Sequence, residues 1–149
     1  QAGRPTHTPR APTPHFDAVA ALIVDAEGRC LLARRPSSGL LGGLWELPGE
    51  RSPRESTSAS EDPLPARLAR ALSGRLGITA AVTGPAATPV KHAFTHFRIT
   101  LYPFWATIRA SKPQPIWYDA LAWVRPADLH SYALPVTDRR ILHEIYGQP

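Results

Sequence analysis

The chain has 149 residues, 43% of them hydrophobic and 19% charged, which is too apolar for a disordered polymer and right for one domain with a full core. Its single cysteine, Cys30, excludes an internal disulfide and any cysteine-built zinc or iron–sulfur centre within the chain. The formal charge is +5, with two lysines (Lys91, Lys112) among seventeen basic residues, and such an arginine-rich surface suits a polyanion such as DNA.

Residues 1–14 hold four prolines and read as an extended interdomain linker, so the domain is expected over 15–149. Phe16–Val24 is a dense apolar run expected as a buried strand. A turn over 25–28 leads to a second strand, Arg29–Arg35, with Cys30 in its apolar core. A glycine-rich loop, Pro36–Gly43, precedes LWELPGE at 44–50, where Trp45 is expected in the core. Residues 51–62 are polar and expected to be mobile.

Asp62 is placed to cap a helix, with Pro63 at its first position, Leu64, Leu68, Leu72 and Leu76 as an apolar stripe and Gly77 as the stop. Strands follow near Thr79–Thr83, Thr88–Ala93 and Phe97–Ile108, with Pro103 implying a bulge or an edge. Ala122–Val124 is a last strand, 125–129 a helical turn and Val136–Tyr146 a terminal helix burying Ile141, Leu142, Ile145 and Tyr146. This order predicts an α+β fold, an α/β/α sandwich with a mixed β-sheet and two main helices. No run is long enough to span a membrane and no secretory signal is present. The chain starts on Gln and contains no methionine, from which a piece of a longer or processed protein is expected.

The strand, glycine-rich loop, Leu-Pro-Gly and glycine-ended helix resemble the Nudix family. Its motif, G-x5-E-x7-R-E-U-x-E-E-x-G-U with U aliphatic, sets acids on a helix to hold magnesium or manganese, hard cations that take oxygen ligands. In RALSGRLGI, residues 70–78, Arg70, Leu72, Gly77 and Ile78 fit the motif, while its three helical glutamates fall on Ala71, Gly74 and Arg75. Gly49 and Glu55 fit the first part, but Gly49 and Gly77 stand 28 positions apart where the motif has 21, so seven residues are inserted. Glu50, Glu55, Glu61 and Asp62 remain nearby as relocated ligands for an alternative reading, a Nudix hydrolase acting on a nucleoside diphosphate derivative.

ARRPSSGLLGGLWELPGE, VKHAFTHFRITL and SYALPVTDRRIL further resemble the C-terminal Nudix-like domain of MutY-type adenine DNA glycosylases. That resemblance implies a non-catalytic DNA-repair domain that recognises 8-oxoguanine opposite adenine. Oxidation turns guanine N7 from an acceptor into a donor, which a hydroxyl can accept from. Thr95 is then the expected lesion reader, Phe94 its apolar support, and His96 a loop or phosphate contact. Lys91, Arg98, Arg34 and Arg35 are the expected phosphate contacts, with Ser37, Ser38 and Gly39 approaching DNA. The resemblance also implies an N-terminal glycosylase domain of the parent as partner, carrying a 4Fe-4S cluster, no cofactor in this chain, and a cytoplasmic, nucleoid-associated location if the source is bacterial.

Overall fold

A computed structural model describes residues 13–54 and 62–147. Residues 1–12 of the expected linker over 1–14, and Glu55 and Glu61, lie outside the described residues. Strand β1 (His15–Leu22) runs parallel to β7 (Arg98–Ala110) on one side and antiparallel to β4 (Gly49–Pro53) on the other. On its other edge β7 pairs antiparallel with β6 (Val90–Ala93) and β5 (Thr79–Pro85). A second sheet has the order β3-β2-β8, with β2 at Cys30–Arg34, β3 at Trp45–Glu46 and β8 at Ala120–Val124.

Because successive strand residues face opposite ways, β1 serves two cores at once. Ala18, Ala20 and Leu22 join Leu32, Leu101, Ile141 and Leu142 on the side of helix α2 (Val136–Tyr146). Val19, Ala21 and Ile23 join Leu68, Leu72 and Leu76 on the side of helix α1 (Leu64–Leu76). Helices therefore cover both faces of a mixed sheet, as expected.

The structure corrects several local expectations. The segment after Leu-Pro-Gly is a strand as far as Pro53, because β4 zips onto the edge of β1 from Ala20↔Gly49 to Phe16↔Pro53. Asp62 does not cap α1, since Pro63 holds the cap position with no side-chain bond and the Asp62 carboxylate accepts from Arg70 Nη2 at 2.8 Å. Trp45 packs against the core as expected but stays half-buried, meeting Tyr132 edge to face at 5.1 Å. Pro103 sits at neither an edge nor a bulge of its own strand. It lies where β7 changes partner, after β6 ends at Leu101 and before β5 begins at Phe104, so its missing N–H leaves no ladder bond broken.

Gly77 ends α1 in the left-handed conformation with φ 72°, its N–H bonding Ser73 O, and an added Cβ would stand 2.9 Å from Ile116 Cδ1. Gly77→Ala is expected to destabilise the chain by about 1 kcal/mol, read as a shift in urea midpoint. An unchanged midpoint would show that the cap has an alternative conformation.

Candidate functional site

The glycine-rich loop returns the chain to β3, and Leu-Pro-Gly then carries it into β4, so Glu46, Gly49 and Arg51 approach the start of α2 and the end of α1. Gly49 is fixed by space as well as by sequence. Its position opposite Ala20 would put a Cβ inside contact distance of the Val19 carbonyl oxygen and 2.8 Å from the Val19 carbonyl carbon.

Around Gly49 lies a connected polar network. Arg35, 7% exposed, donates from Nη1 to Glu46 at 3.3 Å and lies over the Trp117 ring at 5.0 Å. The buried Tyr118 hydroxyl has one proton, which goes to Glu46 Oε2 at 2.8 Å, while it accepts from the Gly49 N–H at 3.0 Å. Burial, aided by the Glu46 charge, pushes Tyr118 above its ordinary value, so it stays a neutral phenol. Arg75 Nη1 donates to the Gly49 carbonyl at 2.8 Å, and its guanidinium stacks on Trp117 at 3.8 Å.

A cleft opens beside this network. Leu41, Ile99 and Leu101 give it apolar walls, and Glu46, Glu50, Arg51 and Asp138 supply its polar groups. Asp138 stands in the first turn of α2, where its carboxylate accepts from the Leu47 N–H at 2.9 Å and the Thr137 hydroxyl at 3.0 Å. Burial, with the Glu46 charge second, outweighs those bonds and pushes Asp138 up to about 7. Arg51 donates from Nη2 to Leu40 O at 2.9 Å, and burial together with the nearby Arg35 charge holds it below the usual guanidinium value.

The sequence-predicted residues gather elsewhere. Phe94–Thr95–His96 form the turn between β6 and β7, closed by Phe94 N–H on Phe97 O at 2.8 Å. Phe94 stacks on Phe97 at 4.7 Å and packs on the core, while Thr95 and His96 are exposed. Lys91 and Arg98 are exposed on the same hairpin. Arg34 is exposed and lies 5.8 Å from the Trp45 ring. Ser37, Ser38 and Gly39 are an exposed turn with Gly39 at φ 88°. Only Arg35 of the set turns inward to the network. Sequence reasoning missed Glu46, Tyr118 and Asp138, whose contacts join positions far apart in the chain. The acid opening the α2 helix was the one signal that could have pointed to Asp138.

The family described as "NUDIX domain" matches residues 19–144. The chain belongs to the Nudix family. It is 32% identical over 129 residues to the CTP pyrophosphohydrolase of Escherichia coli (strain K12), covering 83% of this chain and 87% of that protein. The MutT protein of Methanosarcina mazei Go1 superposes with a TM-score of 0.74 at 24% identity, over 91% of this chain and 96% of that one.

The human adenine DNA glycosylase is 24% identical over 91% of this chain but only 24% of its own length. These matches correct the DNA-repair reading. The stronger whole-length likeness is to a Nudix enzyme named for a nucleotide substrate. The lesion-reading role of Thr95 and Phe94, the DNA contacts and the parent iron–sulfur cluster were expected from the glycosylase resemblance alone, and neither the matches nor the fold test them. Among the described residues no helix is long and apolar enough to cross a membrane.

Nudix chemistry implies a divalent metal, and the residues present do not fit one on α1. Ala71 is buried, Gly74 has no side chain and Arg75 is a cation. Among the described residues no three His, Cys, Asp or Glu lie together to hold a metal.

Proposed function

We propose that this chain acts on a nucleoside diphosphate derivative as a Nudix hydrolase, with the base in the cleft beside Asp138. The cleft is the observation that carries this reading. Its apolar walls suit a flat heterocycle, and its buried carboxyl suits the paired donors and acceptors along a base edge. Arg51, on the same cleft, is placed to meet the phosphates that follow the base. Glu50 is the carboxylate beside Gly49 that lines the cleft, and it serves as general base toward water at the phosphoanhydride. Asp62 is engaged with Arg70 instead. A nucleotide ligand and a buried reduced thiol at Cys30 fit a cytoplasmic protein.

Incubation with a panel of nucleoside triphosphates and diphosphate conjugates, with products separated by anion-exchange chromatography, tests this. One nucleobase class should be cleaved, with Glu50→Gln lowering turnover about 100-fold and Asp138→Ala weakening binding about tenfold. Turnover unaffected by Glu50→Gln would remove the base assignment, and no nucleotide bound or cleaved would remove the reading.

A further inference from the structure

The α1 face that the family motif fills with acids here carries Arg67, Ala71, Gly74 and Arg75, four positions brought together by helical spacing. Arg75 spends Nη1 on the Gly49 carbonyl and one ring face on Trp117. Two turns earlier Arg67 is 5% exposed with Nη2 unpartnered, and Arg51 Nη1 is likewise buried without a partner. A buried N–H without an acceptor costs about 1–3 kcal/mol, and the buried unpartnered N–H groups of Arg51 and Arg67, with the Arg75 charge reaching Arg51, point to an anion that completes them. The charges that reach Arg51 are Arg35 and Arg75 against Glu46, so the site has a positive surplus before any ligand arrives.

We infer that Arg75 is a resident cation, standing in charge where the family's helix would hold a divalent metal, so that this chain grips a diphosphate with no metal between. The inference rests on the nucleotide reading above and adds how the phosphates are held. A guanidinium suits the role because it stays protonated and offers a planar fork to phosphate oxygens. It also excludes the metal, because a cation fixed on the acid-free face repels a second one.

Titration calorimetry with inorganic pyrophosphate, in EDTA and in magnesium, tests the grip. The two Kd values should agree within about twofold, and Arg75→Ala should weaken binding about tenfold. Arg75→Gln, which keeps an N–H for Gly49 O but drops the charge, serves as the second variant if Arg75→Ala fails to fold by circular dichroism. Manganese alone, followed by water-proton relaxation, should not bind the wild-type chain and should bind the triple variant Ala71→Glu, Gly74→Glu, Arg75→Glu. Manganese binding to the wild type, pyrophosphate bound only with magnesium, or undiminished binding by both Arg75 variants would overturn the resident cation and leave the nucleotide reading standing. Neither pyrophosphate nor any nucleotide bound in either buffer would overturn both.

Discussion

Replacing Gly49 with alanine is expected to destabilise the fold by roughly 3 kcal/mol, lowering Tm by about 10 °C. The new methyl group would press on the Val19 carbonyl, and what it meets is backbone rather than the end of a flexible side chain. Either β4 must leave β1, breaking the register that starts at Ala20↔Gly49, or β1 must shift and disturb both cores it serves. The Gly49 N–H and carbonyl also anchor Tyr118 and Arg75, so ligand binding should weaken together with stability. Thermal melts followed by circular dichroism check the first part and calorimetry the second. A Gly49→Ala chain that melts with the wild type would show that the strands are farther apart in solution.

The second large effect is a pH dependence set by Asp138. Its folded pKa, about 7, lies above the ordinary carboxylate value, so the folded state holds a proton that the unfolded chain has already released. Stability therefore falls as pH rises from about 4 to about 7 and is level outside that window, with a slope of up to about 1.4 kcal/mol per pH unit from this group. Urea midpoints at pH 5 and pH 8 should differ accordingly. In Asp138→Asn the difference should shrink, because the amide cannot ionise. Glu46→Gln should narrow the window from above by removing the charge that helps keep Asp138 protonated. Equal pH slopes in wild type and Asp138→Asn would show that Asp138 ionises freely.

Parts of this molecule were legible in its sequence and parts were not, for separable reasons. α1 and α2 were readable because each has a leucine or isoleucine stripe at helical spacing, and α1 also has a glycine that stops it. β1 was readable as an unbroken apolar run because both of its faces are buried. β4 was not readable, because Gly49–Pro53 has no apolar alternation and is held by backbone pairing to an edge that only the fold creates. The Nudix scaffold could be recognised from local motifs, and so could the loss of its helix acids. The site could not. Arg35, Glu46, Tyr118 and Asp138 come from four separate elements or loops, and each looks ordinary where it stands in the chain. Motif likeness pointed to the exposed turn at 94–96, which is local in sequence, whereas the residues lining the cleft are brought together only by the fold.

The parallel pairing of β1 with β7 sets His15 beside Arg98, two positions separated by most of the domain. Closing so long a loop is entropically costly and slow, whereas the β6–β7 hairpin closes over a turn of a few residues. Folding should therefore begin in the second half of the chain, with the hairpin and its stacked Phe94 and Phe97 as an early nucleus. During synthesis β1 leaves the ribosome first but must wait, exposing its apolar residues until β7 is made. That interval is when the chain is most open to aggregation and to chaperones. Mutations in the hairpin should slow refolding, while mutations in β4 should mainly speed unfolding.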